Sequence, residues 1–412
     1  MVIRIWRISA VVLLGLSLAG AAAGGTCSPV MDWNQNALLA TTLTTPAQGA
    51  LVQIRSMAIV QVSVHDAVNA ITGAYRTYLP AGDVPPGASP EAAAIAAAGY
   101  ALSHLFPTQG WDLLVEPSLA TCGLTLADPG VAVGRAAAAA VLASRPVDEV
   151  KNASDNLYKA PNAGAPGVWE VAAGDVPASP KWGQMKTWVI ESGSQFRPDA
   201  PSALDSGRYA RDFNEVKTFG ALNGSARTPE QTEIAIFWDG TPSAIWNSVA
   251  RGVIAKKNLD LSNTARTFAM MYLSGADASI ACFDAKYFYN FWRPIAAIHR
   301  ADEDGNEKTV PDPDWEPLIH THPHPEYPSG HSTNSGAMAT MLALIFGDAP
   351  GVTIEASSPR STKTHYWATF SEGIDEVLDA RVYIGFHFRT SDETGARIGR
   401  QVAHFVVNHA LR

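Results

Sequence analysis

The sequence predicts an all-α protein. Long Ala-rich stretches carry apolar residues three and four apart, helix-start signals stand ahead of apolar runs, and no segment alternates apolar and polar residues for the length of a strand.

Taken in order, residues 1–23, MVIRIWRISAVVLLGLSLAGAAA, place Arg4 and Arg7 before an apolar stretch and a small-residue end. That is the pattern of an export signal, so the mature chain, residues 24–412, is expected in the periplasm or outside the cell. The formal net charge of −9 becomes two units more negative when Arg4 and Arg7 leave. A broad nucleic-acid or anionic-membrane surface is therefore not expected, and any cationic site has to be local. No later stretch approaches the ~18 apolar residues of a membrane span, so the mature protein is expected to be soluble. Cys27, Cys122 and Cys282 allow one disulfide at most. An exported chain can join Cys27 to Cys122, but connectivity is not readable from sequence.

Residues 53–71, 90–106 and 131–145 read as amphipathic helices. Residues 160–207 are rich in Pro and Gly and read as a long ordered loop between an N-terminal helical half and a C-terminal half, residues 228–405. Thr228 with Gln231 has the spacing of a capping box, and helices follow through 262–293 until Pro294 ends or kinks them.

Three short pieces carry chemistry. In KYFYNFWRP, Lys286 and Arg293 bracket a run of aromatics. On one helix, seven residues turn the chain by about 700° and return Arg293 to nearly the face of Lys286, so both reach one anion. Two cations snorkelling past an aromatic core is the plainer reading of this piece alone. In HPEYPSGHSTNSG, Ser329 suits an N-cap, Gly330 admits a ligand close to the backbone, and the helix start offers N–H groups to an oxyanion beside His331. In ARVYIGFHF, Arg381 and His387 diverge on a continuous helix, so a shared site requires a break, expected at Gly385. Without that break, Arg381 pairs with Glu376 or Asp379 and His387 is a core histidine.

In order and spacing these pieces resemble the signature of the vanadium-dependent haloperoxidase and type 2 phosphatidic acid phosphatase superfamily: Lys286 to Pro294, Pro328 to His331, and Arg381 to His387. Ala380 stands where that signature has serine. The resemblance implies two four-helix bundles with the anion site in one of them. It implies that Lys286, Arg293 and Arg381 neutralise vanadate or phosphate, with Ser329 and Gly330 on its oxygens. In a haloperoxidase His387 is the vanadium ligand and His331 the acid/base, the reactants are hydrogen peroxide and a halide with a small organic acceptor, and no haem or flavin takes part. In a phosphatase His387 is the nucleophile and His331 protonates the leaving alcohol. A non-catalytic oxyanion binder is the third reading.

His324, five residues before Ser329, and Phe283, three before Lys286, occupy positions that tune halide use in this superfamily and point to bromide. Asp239 resembles an acidic residue that pairs with a site arginine. Asp392 falls one position beyond the aspartate that orients the nucleophile in phosphatases, where this chain has Ser391. HTHPHPEY alternates His320, His322 and His324, but its prolines and missing fourth ligand argue against a divalent-metal site. His65 and Asp66, adjacent on a helix, point apart and read as core. A homo-oligomer is compatible with the sequence.

Overall fold

The computed structural model describes residues 27–44, 48–154 and 158–412; the expected export signal lies outside them. The N-terminal half consists of α1 (Pro29–Thr42), α2 (Ala50–Thr72), α3 (Pro90–Leu105), α4 (Val115–Thr121), α5 (Pro129–Ser144) and α6 (Asp148–Ala153). Alanine on the facing surfaces lets α3 and α5 approach closely, with α2 packed on both. His65 and Asp66 are buried in α2: His65 Nε2 meets the Arg76 carbonyl, and Asp66 accepts the N–H groups of Tyr78 and Leu79. A Cys27–Cys122 disulfide closes a separation of 95 residues, worth about 4–5 kcal/mol by the chain-entropy argument. Cys282 is a buried free thiol.

The C-terminal half contains α7 (Gly207–Phe219), α8 (Pro229–Phe237), α9 (Pro242–Lys257), α10 (Leu261–Tyr289), α11 (Pro294–His299), α12 (Gly330–Phe346), α13 (Phe370–Tyr383) and α14 (Arg389–His409). Helix α10 packs on α2 from one side and on α12 and α14 from the other, so it is a wall shared by both halves. Helices α12 and α14 press together through small residues. A Cβ on Gly399 would collide with the Thr333 carbonyl oxygen, and one on Gly395 would stand 2.6 Å from the Ser329 carbonyl oxygen. That contact brings the start of α14 against the Ser329 turn.

The segment 160–207 is ordered and tied to the C-terminal half. Trp169 N–H donates to the Asn290 carbonyl and Trp292 N–H to the Gly167 carbonyl, while the buried Asp277 carboxylate of α10 accepts the N–H groups of Trp188, Val189 and Ile190. The Thr228 capping box forms as its spacing predicts.

Two expectations fail here. The helix carrying Lys286 does not run to Pro294: Asn290, in the left-handed region at φ 50°, closes it, and Arg293 is the residue ahead of α11, whose first position is Pro294. Arg293 therefore reaches the neighbourhood of Lys286 by chain reversal and not by helical phase. Residues 354–367 also contain an antiparallel hairpin, β1 (Ile354–Ser357) with β2 (Thr364–Trp367), too short to leave an alternation signal.

The break at Gly385 is present. Helix α13 ends at Tyr383, and Gly385 has φ +85°, where a Cβ would sit 2.7 Å from the Gly220 carbonyl oxygen and 2.8 Å from Pro317 Cβ. Both the conformation and the space demand glycine. Gly385→Ala is expected to cost on the order of 2–4 kcal/mol, read as a lowered urea midpoint with an unchanged m-value.

Candidate oxyanion site

Helix α10 projects Lys286 from its last turn into the interior, where Nζ donates to the carbonyls of Pro325 (2.7 Å) and Glu326 (2.9 Å). Its Cε lies 3.9 Å from where a Gly330 Cβ would be, so the lysine runs alongside the PSGH turn. The Arg293 guanidinium arrives from the turn before α11. Its Nη1 donates to the Phe386 carbonyl and lies 3.2 Å from His387 Nε2, while Nη2 lies 2.9 Å from His324 Nδ1.

An arginine can only donate, so His387 Nε2 accepts and the imidazole proton resides on Nδ1. That Nδ1–H donates to Glu326 Oε1 at 2.8 Å, and the same oxygen accepts the Phe388 N–H. His387 thus turns the lone pair of Nε2 toward the cations, the tautomer that ligation or nucleophilic attack requires. Glu326 was not singled out in the sequence. It stands in HPEYPSGH, but its partner is 61 residues away, a relation no local spacing encodes.

Ser329 occupies the N-cap position of α12 without capping it. Its hydroxyl lies 3.1 Å from Ser332 Oγ, which in turn donates to Asp392 Oδ1 at 2.8 Å. The first-turn N–H groups, that of Gly330 among them, are left without a side-chain cap. Asp392 is fully buried beside Ser329, while the carboxylate that orients His387 is Glu326. His331 bonds to the Gly240 backbone, and its Nε2 is buried with no partner.

Arg381 is fully buried, with Nη1 donating to the Trp238 carbonyl at 2.8 Å and Nε unpartnered. It pairs with neither Glu376 nor Asp379. Asp239 faces Arg381 electrostatically, its carboxylate favouring the charged guanidinium, but its direct bond goes to Arg360 through Nε at 2.6 Å, and the carbonyl of the preceding Trp238 takes the Arg381 N–H. Trp238 is itself held, its Nε1 donating to Glu376, whose carboxylate also meets His365 Nδ1. His365 Nε2 meets Glu233 at 2.7 Å. The hairpin strand β2 thereby braces Arg381 from outside the site.

Electrostatically the site is a concentration of buried positive charge. Lys286, Arg293 and Arg381 are at most 2% exposed; of the carboxyl groups near them, Glu326 and Asp392 are driven toward protonation by the same burial, and Asp239 acts on Arg381 while bonded to Arg360. Desolvation lowers Lys286 to about 7 and Arg293 and Arg381 to about 10. It also holds His331 and His387 well below the usual imidazole range, with the neighbouring cations adding to the effect. Buried positive charge with an unused N–H at Arg381 Nε and an unpartnered His331 Nε2 fits a tetrahedral oxyanion that accepts several donors.

His324 and Phe283 adjoin this site: their ring centroids are 5.3 Å apart, and His324 contacts Arg293. His322 lies near-parallel to His324 at 6.2 Å, whereas His320 points away to Asp175.

Comparison with known proteins agrees with this geometry. Residues 266–412 match the family model of the VCPO second helical-bundle domain. The vanadium chloroperoxidase of Curvularia inaequalis is 31% identical over 206 residues, which take in 42% of this chain and 33% of that protein. The chain thus spans a third of that curated relative. Among solved structures, the first bacterial vanadium-dependent iodoperoxidase has a TM-score of 0.78 at 24% identity, covering 94% of this chain and 98% of that one. A holo-type bacterial vanadium-dependent chloroperoxidase has a TM-score of 0.70 at 17% identity, covering 91% and 95%. The helical-bundle fold is shared with these proteins, and the three motifs, Lys286 to His387, fall inside the stretch that matches the family model.

Proposed function

We propose that this chain, whose residues 266–412 carry the second helical-bundle domain of the vanadium chloroperoxidases, is a vanadate-dependent haloperoxidase that oxidises bromide with hydrogen peroxide. The observation that carries the reading is the His387 Nε2 lone pair, fixed by Glu326 and facing a buried cluster of three cations. Lys286, Arg293 and Arg381 would neutralise vanadate, with Ser329 and Gly330 on its oxygens and His387 as its protein ligand. Bound vanadate supplies Lewis-acid polarisation of peroxide without a change of oxidation state.

The protein groups divide the remaining work. Glu326 keeps the His387 proton on Nδ1, away from the reacting face. His331, neutral because it is buried among cations, presents an unpartnered Nε2 that takes a proton from peroxide and returns one to the departing oxygen. Packing around the site excludes bulk water and raises the strength of each charge-assisted bond.

Two assays on one purified sample test the reading: bromination of a phenol dye with peroxide, with and without added vanadate, and hydrolysis of a nitrophenyl phosphate without vanadate. Bromination dependent on vanadate is expected. Phosphate release alone would establish the phosphohistidine reading instead, for which the oriented His387 is equally suited.

Anion affinity should depend on pH in a defined sense. Lys286 at about 7 must be charged to bind an anion, and Glu326, also at about 7, opposes binding once ionised. Both groups lose a proton as pH rises through 7, so affinity is fullest below that value and falls above it. Sulfate, which does not titrate in this range, is expected to bind about tenfold more weakly at pH 8 than at pH 7 by titration calorimetry, and Lys286→Met should flatten the slope. His324→Phe is expected to shift the bromide-to-chloride activity ratio by about tenfold toward chloride with vanadate affinity nearly unchanged, measured as kcat/KM for each halide.

We also propose export to the periplasm or exterior. The Cys27–Cys122 bond, suited to an oxidising compartment, supports this. Among the described residues, no helix is long and apolar enough to cross a membrane.

A further inference from the structure

Next to the oxyanion site, and separated from it by the Phe283 ring, is a cavity of about 590 Å³. That volume is within the range of small-molecule sites, roughly 300–1,000 Å³. Its walls are aromatic. Phe283 and Tyr287 stand 6.3 Å apart, and the Tyr287 hydroxyl is used on the Ala178 carbonyl, so Tyr287 offers its ring face to the cavity. Phe288 is 60% exposed, with the Arg197 guanidinium 3.9 Å above its ring. Asp284, the carboxylate among the described lining residues, is bound at both oxygens by Arg197, at 2.7 and 2.9 Å. Its charge is already neutralised, and Lys159 at the exposed rim keeps the entrance cationic in a chain whose overall charge is −9. Aromatic rings tilted or edge-on to one another, Phe283 and Tyr287 at 41° and Tyr158 and Tyr287 at 76°, leave room for a planar guest, and the cationic rim favours one that carries a negative charge.

We propose that this cavity binds an electron-rich aromatic anion, of the hydroxybenzoate class, and presents it as the acceptor for halogen generated at the neighbouring site. The acceptor role rests on the haloperoxidase reading; the binding does not. In the transfer, a ring carbon forms the C–X bond as the O–X bond of hypohalous acid breaks with both electrons going to oxygen. The ring then loses its proton, and water leaves. Holding the arene one ring away from the source favours its capture of halogen over loss to bulk solution.

Calorimetric titration of the vanadate-free full chain with 4-hydroxybenzoate tests binding without peroxide or halide, with phenol and cyclohexanecarboxylate as controls for charge and ring. One saturable site is expected, weaker for either control. Phe288→Ala and Lys159→Glu, both at exposed positions outside the reaction machinery, should each weaken it by about fivefold or more. No saturable binding up to about 10 mM, or equal affinity in all three proteins, would overturn the proposal.

With vanadate, bromide and peroxide present, Phe288→Ala should slow bromination of dilute 4-hydroxybenzoate by a similar factor and leave a non-aromatic β-diketone unaffected. Equal rates for both acceptors in both proteins would mean that hypohalous acid simply diffuses, and the acceptor role would fall. Binding without bromination of either compound would overturn the acceptor role together with the haloperoxidase reading, while the arene site would stand.

Discussion

Replacement of His387 by alanine is expected to lower vanadate-dependent bromination by at least about a thousandfold, with the fold retained. The imidazole supplies a neutral nitrogen aimed at the cation cluster and oriented by a carboxylate; His324 contacts the same arginine, but through Nδ1 and from the side of Phe283, with no carboxylate on its ring among the described residues. Loss of the ring also leaves Glu326 Oε1 with only the Phe388 N–H, a cost of about 1–3 kcal/mol in stability. Near-ultraviolet circular dichroism and thermal melting separate that loss from the chemical one. Sulfate should still bind, because Lys286, Arg293 and Arg381 remain. A variant retaining a tenth of the parent rate would remove His387 from the mechanism.

The second large effect is expected at Glu326. Glu326→Gln keeps the shape of the side chain and an oxygen for Nδ1–H, but removes the charge that makes the imidazole a stronger donor of its lone pair. Turnover with vanadate should fall about 10–100-fold, whereas sulfate, which needs no bond to His387, should bind no more weakly. Stability should respond in the opposite direction on the alkaline side. Burial raises the Glu326 carboxyl to about 7 from its ordinary value of 4.5, so the parent protein loses stability from this group as pH rises from about 4.5 through 7. The glutamine variant has no such group, and denaturant melts from pH 5 to pH 8 should show a shallower decline for it than for the parent. A residue that supports function yet costs stability as pH rises toward 7 marks a site arranged for a ligand rather than for stability.

How much of this was legible in the sequence differs from residue to residue. Helices at 50–72, 90–105 and 129–144 follow from alanine content and 3.6-residue periodicity, which are local properties. The Thr228 cap and the Gly385 break were readable because each depends on the chemistry of one short stretch. Helical phase misled at Arg293: Asn290 adopts the left-handed conformation and the helix ends at Tyr289, four residues short of Arg293, and nothing in KYFYNFWRP distinguishes that from continuation to Pro294. Asp239 was legible only in part: its charge does act on Arg381, but its hydrogen bond goes to Arg360, a partner 121 residues away that no local pattern records.

The sequence by itself determined the helical class, the three motif segments and the types of charged group that an oxyanion site needs, because each is written in neighbouring residues. Only the tertiary structure decided which carboxylate faces His387, which nitrogen of that ring carries the proton, and what braces Arg381. The contacts Glu326–His387, Trp238–Arg381 and Ser332–Asp392 join segments 60 to 143 residues apart. Such pairings arise from close packing of whole helices, which fixes side-chain neighbours that no local pattern records.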